Sequence, residues 1–536
     1  MTENRIFFVI LPPSIKSLLA MKTFKTTGKC LPDRHYMVNI DRQVGVAVSL
    51  IDRGEYFCIN RGRQFGKTTT LAAVKTALEA KGYTVFSISF EGIGNSPFTS
   101  LETLLYTSLN LMQACVDFNE VENLSDEAAE ALKPFGDDTG SVATPSYIKA
   151  VAKMTGGNKT VLLIDEVDQA GNYFEFVQFL GTLRSMYLKR DTRPTFQSVV
   201  LAGVYDIKNL KLKMRPEEQH QYNSPWNIAM NFDADMSLHA DGIAGMLAEY
   251  KADHHLTFDE TVMAQQIYDY TNGYPYLVSR LCQILDEQML SWDREGLLKA
   301  VNQILTEPSL LFQDMAKKLN DFPTLKNLLK SILYTGERKG FAPDEHGFEL
   351  GMMFNFLRNN NGFVAVYCRL METRLYNMFI SEDENEISKE GERGKTLFTA
   401  GGRLNMRLVL EKFVIHYNDI YSDRDVKFVE EQGRKMFLLY LRPIINGVGN
   451  YYVEAHTRDD SRTDVVVDYL GEQFVVELKI WRGNAYNEQG EHQLAEYLDY
   501  YHLSHGYLVS FCFNKTKQPG VHDVAVDGRT ITEALL

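Results

Sequence analysis

Binding a nucleotide's phosphates takes a backbone that can approach oxygen closely, a cation that reaches the β- and γ-groups, and a hydroxyl for Mg²⁺. Gly66, Lys67 and Thr68 supply these three side by side. They close the run Phe57 to Thr70, which reads as a strand, a loop and the opening of a helix. Arg63, Gln64 and Phe65 before them and Thr69 after them complete the expected nucleotide-binding stretch. In the pattern G-x-x-x-x-G-K-[ST] the first glycine falls on Arg61, and the nearest glycine, Gly62, comes one place late. About a hundred residues on, the apolar run Val161 to Ile164 ends in Asp165 and Glu166. Asp165 at a strand end can hold Mg²⁺ together with Thr68, and Glu166 is placed to polarise an attacking water. A lysine at a helix start and two capping acids would be the bland account. The co-occurrence of both contexts points instead to ATP and Mg²⁺ as cofactors.

A second constellation lies near the C-terminus. Residues 462 to 479 read as a β-hairpin turning at Leu470-Gly471. A two-residue turn pairs Asp464 with Glu477 by symmetry, and Lys479, two beyond Glu477, shares its face. Two carboxylates and a lysine on one face suit metal-assisted phosphodiester hydrolysis, with Asp464 and Glu477 as Mg²⁺ ligands and Lys479 stabilising charge on the phosphate. Gln493 and Tyr497, four apart on an expected helix, also share a face. Upstream, Glu430 stands on the same helical side as Arg434, Phe437 and Leu441. A carboxylate on an inward side is costly unless paired or metal-bound, which makes Glu430 a candidate further acid, with an internal Arg434 pair as the alternative. Arg462, Trp481 and Arg482 flank this site and could hold DNA, with a structural Trp packed against the sheet as the default alternative. E-x-K on a strand is common on solvated faces, so the weight rests on the order of all these parts.

The elements that must position these residues can be read in outline. Strands are expected at Tyr56 to Asn60, Tyr83 to Phe90, Val161 to Ile164 and Ser198 to Ala202, with helices at 68–81 and 99–115 and an acidic, loop-like stretch from there to about Thr144. Alternating strands and helices indicate a parallel α/β sheet, whose ligands sit at the strands' carboxyl ends. Residues 240 to 380 read as helices, with Phe363 to Tyr367 as a β element of winged-helix type. The expected division is an N-terminal extension (1–21), a P-loop domain (22–239), a helical lid with a winged-helix-like region (240–380), a linker (381–404) and a separate α/β domain (405–536).

Composition narrows the function classes. With 536 residues, 45% apolar and 24% charged, the chain has the makeup of a multidomain globular protein, with no apolar run long enough to cross a bilayer. A formal net charge of −14 means that any nucleic-acid contact must use a local basic patch. Lys208, Lys211, Lys213 and Arg215 form one candidate; a solvated loop is the other reading of them. The short apolar stretch at residues 5 to 11 ends at Pro12-Pro13 and makes a poor secretion signal. Six scattered cysteines without C-x-x-C argue against a disulfide framework or zinc site and for a reducing cytoplasm.

The P-loop, the Asp165-Glu166 strand end and Asn272-Gly-Tyr-Pro275 resemble the AAA-like ATPases of the P-loop class over about residues 22–375. Members of this kind often carry an R-x-R-x-F-G-K-T loop without a leading glycine. The resemblance implies a nucleotide-sensing lid, an arginine finger (Arg184, Arg193 and Arg215 are candidates) and ATP-dependent homo-oligomers. The Asp464, Glu477 and Lys479 set resembles the PD-(D/E)XK nuclease core over residues 405–536, with Thr463 where the name places proline. Gln493 and Tyr497 resemble the Q-x-x-x-Y element of RecB-like nucleases. The combination resembles bacterial and archaeal proteins that join an AAA-like ATPase to such a nuclease-like domain. It implies an ATPase whose nucleotide state controls a Mg²⁺-dependent nuclease acting on DNA. A nucleotide-switched nucleic-acid- or partner-binding protein with an inactive nuclease fold, or an ATPase with a decayed P-loop, are the alternatives.

Overall fold

A computed structural model describes residues 21–204, 225–335, 339–342, 345–384, 398–400, 403–421, 430–445, 449–456, 462–481, 484–513 and 517–536. The chain forms two compact units: Met1–Glu260 with Tyr274–Arg280 and Met353–Asn355, and Thr261–Gly273 with Leu281–Met352 and Phe356–Leu536.

The first unit is built on a parallel sheet of β1 (Phe57–Asn60), β2 (Thr84–Ser89), β3 (Thr160–Asp165), β4 (Ser198–Gly203) and β5 (Met230–Asn231), in the order β2-β3-β4-β1-β5. Val161 to Ile164 have no exposed surface, because a parallel sheet is covered by helices on both faces and its central strands have no polar side. The helix Lys67–Glu79 buries Leu71, Val74 and Leu78, the expected stripe. The acidic stretch expected to be a loop is partly helical. Asp126–Leu132 forms a short helix, its Ser125 hydroxyl capping the Ala128 N–H, and it buries Ala128, Ala131 and Leu132. Two small alanines carry little hydrophobic signal inside a run of acids, so tertiary burial decides this element. Helix Phe174–Tyr187 and the two-residue β5 also lay outside the expected set.

The second unit begins with helices, among them Arg294–Thr306, Leu310–Asp321, Pro323–Thr335 and Arg369–Glu384. β6 (Leu357–Asn360) and β7 (Phe363–Val366) form an antiparallel hairpin turning at Asn361 and Gly362, both with positive φ, where the β element was expected. β8 (Thr399–Ala400) and β9 (Arg403–Leu404) make a second, minimal hairpin. Helices Met406–Tyr421 and Glu430–Ile445 then lead into a six-stranded mixed sheet of β10 (Gly449–His456), β11 (Arg462–Tyr469), β12 (Glu472–Ile480), β13 (His505–Phe511), β14 (Gly520–Val526) and β15 (Arg529–Leu535). Its order is β10-β11-β12-β13-β15-β14. β10 to β12 are an antiparallel meander, and β13 joins β12 in parallel after the crossover helix Asn484–Tyr500. Within this unit Arg369 lies among the rings of Tyr452 and Tyr270, 4.4 and 4.9 Å from their centroids, so its charge is buried against aromatic faces.

Candidate functional site

The nucleotide-type site sits at the carboxyl ends of β1, β3 and β4. After Asn60 the chain turns through Gln64 and Gly66, both in the left-handed region (φ 56° and 81°), before Lys67 opens the helix. Alternation of this kind gathers successive N–H groups into an anion-binding concavity, and at a helix N-terminus the dipole adds to it. Lys67 is buried and donates to the carbonyls of Arg61 and Gly62, both at 3.0 Å. Burial lowers its pKa, against the raising influence of Asp168, Glu166 and Asp165. The Thr68 hydroxyl donates to Asp165 Oδ2 at 2.7 Å, joining the helix start to the end of β3. Asp165 Oδ1 accepts the Glu166 N–H at 2.9 Å, and Glu166 stands half-buried at a left-handed φ of 52°. Burial raises the Glu166 pKa above the ordinary carboxylate value, with Lys67 pulling the other way. Phe65 is buried, Arg63 is exposed, and the Thr69 hydroxyl accepts the Cys30 N–H at 3.2 Å.

The late glycine has a structural cause. A Cβ on Gly62 would lie 2.9 Å from both Asn355 Oδ1 and the Phe354 carbonyl. The neighbouring segment, not the phosphate cradle, demands glycine there. Arg61, where the motif's first glycine would stand, turns its guanidinium away to the Asn60 and Ala234 carbonyls at 2.8 and 2.9 Å. Sequence reasoning also missed Asp168, whose carboxylate accepts the Val204 N–H at 2.7 Å, joining the turn after β3 to the end of β4. Its signal was an acid two places after Glu166. Of the arginine-finger candidates, Arg184 is half-buried on helix Phe174–Tyr187 and Arg193 is exposed. Arg215, the Lys208, Lys211 and Lys213 run and Arg482 lie outside the described residues.

At the second site the hairpin turns at Leu470 and Gly471, both left-handed, and pairs Tyr469 with Glu472 through to Val465 with Val476. The paired ladder ends there, one residue short of Asp464 and Glu477; the side chains of Asp464, Arg462 and Glu430 lie outside the described residues. Glu477 is 1% exposed, and Lys479 Nζ meets its Oε1 at 2.9 Å. Gln493 donates to the Tyr497 hydroxyl at 2.6 Å on the crossover helix, and Gly490 of that helix rests against the Lys479 stem. Leu508 pairs with Glu477 on one side and Glu533 on the other, so the sheet's pleat sets both acids on one face. Glu533 is buried, accepting from Ser510 Oγ at 2.7 Å and facing His522 Nε2 at 3.1 Å. Neither Ser510 nor Glu533 belonged to the expected site. Helix Glu430–Ile445 packs through Gly433 on Phe511, whose ladder partner is Ile480. That is the face opposite Lys479. Among the described residues no three His, Cys, Asp or Glu side chains group as a metal site.

Among solved structures the chain is similar to a Walker-type ATPase of Pyrococcus abyssi, at 10% identity over 66% of this chain and 99% of that one, with a TM-score of 0.46. Cdc6p from Pyrobaculum aerophilum follows at 12% identity, covering 66% and 96%, with a TM-score of 0.30. AMPPCP-bound DnaA from Aquifex aeolicus matches at 12% identity, covering 64% and 87%, with a TM-score of 0.28. Comparison with curated proteins finds no match. Residues 33–370, more than half of the chain, match the AAA-like domain, and the chain belongs to that family.

Proposed function

We propose that the chain binds and hydrolyses ATP at residues 61–68 with Asp165 and Glu166, and that nucleotide state controls a metal-dependent nuclease-like site acting on DNA. Lys67 and the N–H groups of 64–68 bind and orient the phosphates, and Glu166 takes the proton of the attacking water. Thr68 and Asp165, already 2.7 Å apart, are the groups that would hold Mg²⁺, which when bound neutralises phosphate charge. The observation that carries the output chemistry is the buried Glu477–Lys479 pair on β12, next to β11, the strand that carries Asp464. Asp464 and Glu477 would hold the second cation, with Lys479 poised against the phosphate. Gln493 and Tyr497 lie on the crossover helix over that face, whereas the helix of Glu430 packs on the opposite one, so Glu430 is not given a part in this site. ATP-dependent oligomers, and a cytoplasmic location suited to six free thiols, complete the proposal.

The test uses the full chain with Mg²⁺ or Mn²⁺ on single-stranded, duplex and branched DNA, with and without ATP. Cleavage that changes with ATP, disappears in Glu477→Ala and Lys479→Ala, and loses its ATP response in Lys67→Ala is the expected result. Absence of cleavage in every nucleotide state removes the nuclease. A second reading has its own observation: Glu477 is almost fully enclosed and already engaged by Lys479, as suits a nuclease fold kept for binding. Nucleic-acid binding without cleavage under these conditions selects it.

A further inference from the structure

Two peptide groups of the P-loop, 61–62 and 63–64, are held by side chains more than two hundred residues away in sequence, and the loop's motif contains neither. The Gly62 N–H donates to Asn355 Oδ1 at 2.5 Å in a buried contact. The Tyr274 hydroxyl donates to the Arg63 carbonyl at 2.5 Å, and its ring meets Phe65 edge-on with centroids 4.9 Å apart. Lys67 donates back to the Arg61 and Gly62 carbonyls, so residues 61 to 63 are fixed by three side chains at once.

We infer that Asn355 and Tyr274 are positioning residues of the nucleotide site, setting the rising limb of the P-loop so that the N–H groups of residues 64–68 converge on phosphate. The inference rests on the reading of residues 61–68 as a nucleotide site. Asn355 is specified twice over. Its φ of 56° lies in the left-handed region, which asparagine adopts more readily than most residues, and its side chain supplies the acceptor. It is 9% exposed, so solvent is poorly placed to replace that acceptor. Gly62 completes the fit, since any side chain there meets Asn355 and Phe354. The rising limb of the loop is thus shaped from outside, by Tyr274 and by the segment before β6.

Four variants separate this from plain structural support. Asn355→Gly keeps the backbone permissive and removes the acceptor; Asn355→Asp keeps both; Tyr274→Phe removes one hydroxyl and keeps the ring; Lys67→Ala is the non-binding control. The measurements are affinity for a fluorescent non-hydrolysable ATP analogue with Mg²⁺, and the melting temperature of the nucleotide-free full chain. A buried donor left without its partner weakens binding by about tenfold in Asn355→Gly, and by several-fold in Tyr274→Phe. Asn355→Asp stays within about threefold of wild type, because its carboxylate still accepts the Gly62 N–H. Wild-type affinity in both Asn355→Gly and Tyr274→Phe, beside a lost signal in Lys67→Ala, overturns the inference and leaves the nucleotide site standing. So does an Asn355→Gly change confined to melting temperature, or an Asp variant as weak as the Gly one. A wild-type chain that binds no analogue overturns the nucleotide reading itself and the inference with it.

Discussion

The Glu477–Lys479 pair allows structural and chemical roles to be separated. Consider Glu477→Gln, Lys479→Met and the double substitution Glu477→Leu with Lys479→Met. The pair is 2.9 Å apart, with side chains 2% and 18% exposed. Removing one partner of a buried pair costs about 3–5 kcal/mol, because the other charge is stranded; the partial exposure of Lys479 lets water recover some of this, leaving ~2–3 kcal/mol. For a unit of this size that is a fall in melting temperature of roughly 5–10 °C. The double substitution strands no charge, so its stability returns to within ~1 kcal/mol of wild type. Urea or thermal unfolding of the full chain supplies the stability values, and Mg²⁺-dependent DNA cleavage supplies the activity. On the proposed mechanism all three variants lose cleavage, the stable double included, since neither a metal ligand nor a charge-stabilising lysine is left. Wild-type cleavage by the double variant would reduce the pair to scaffolding. A stability unchanged in both single variants would refute the electrostatic reasoning from the geometry.

Other outcomes follow from single contacts. Gly62→Ala forces a methyl into Asn355 and Phe354 and is expected to cost ~1–3 kcal/mol in unfolding titrations, and Arg61→Gly in the same chain does not restore it. Glu166, raised by burial, must be ionised to accept a proton from water. ATP turnover therefore declines on acidification at a pH above that of an ordinary glutamate, and Glu166→Gln abolishes turnover while retaining nucleotide binding, as a pH–rate profile and a binding titration will show. Gly433→Ala sets a methyl 2.3 Å from Phe511, so the second unit should lose ~1–3 kcal/mol in thermal unfolding, with nucleotide affinity unchanged.

Local information carried much of this protein. The run Val161 to Ile164 announces a strand buried on both faces, and Gly66-Lys67-Thr68 announces a helix start, because each signal is complete within a few consecutive residues. The turn at Leu470-Gly471 fixed the ladder of β11 and β12, since a two-residue loop leaves one register. From these, the pairing of Thr68 chemistry with Asp165 and the shared face of Glu477 and Lys479 were legible. The short helix Asp126–Leu132 was not, because its stability comes from what it packs against. Nor was the reason for Gly62, whose Asn355 partner stands almost three hundred residues away. Asp168 met Val204, and Glu533 came level with Glu477, only through the order of strands in each sheet. Periodicity and turn chemistry act over a few bonds, and so the sequence alone determined the strongly patterned elements and the reactive groups they carry. Which distant side chains shape the P-loop and which second acid shares the Glu477 face depended on packing, since neither strand order nor close approach leaves a mark in local sequence.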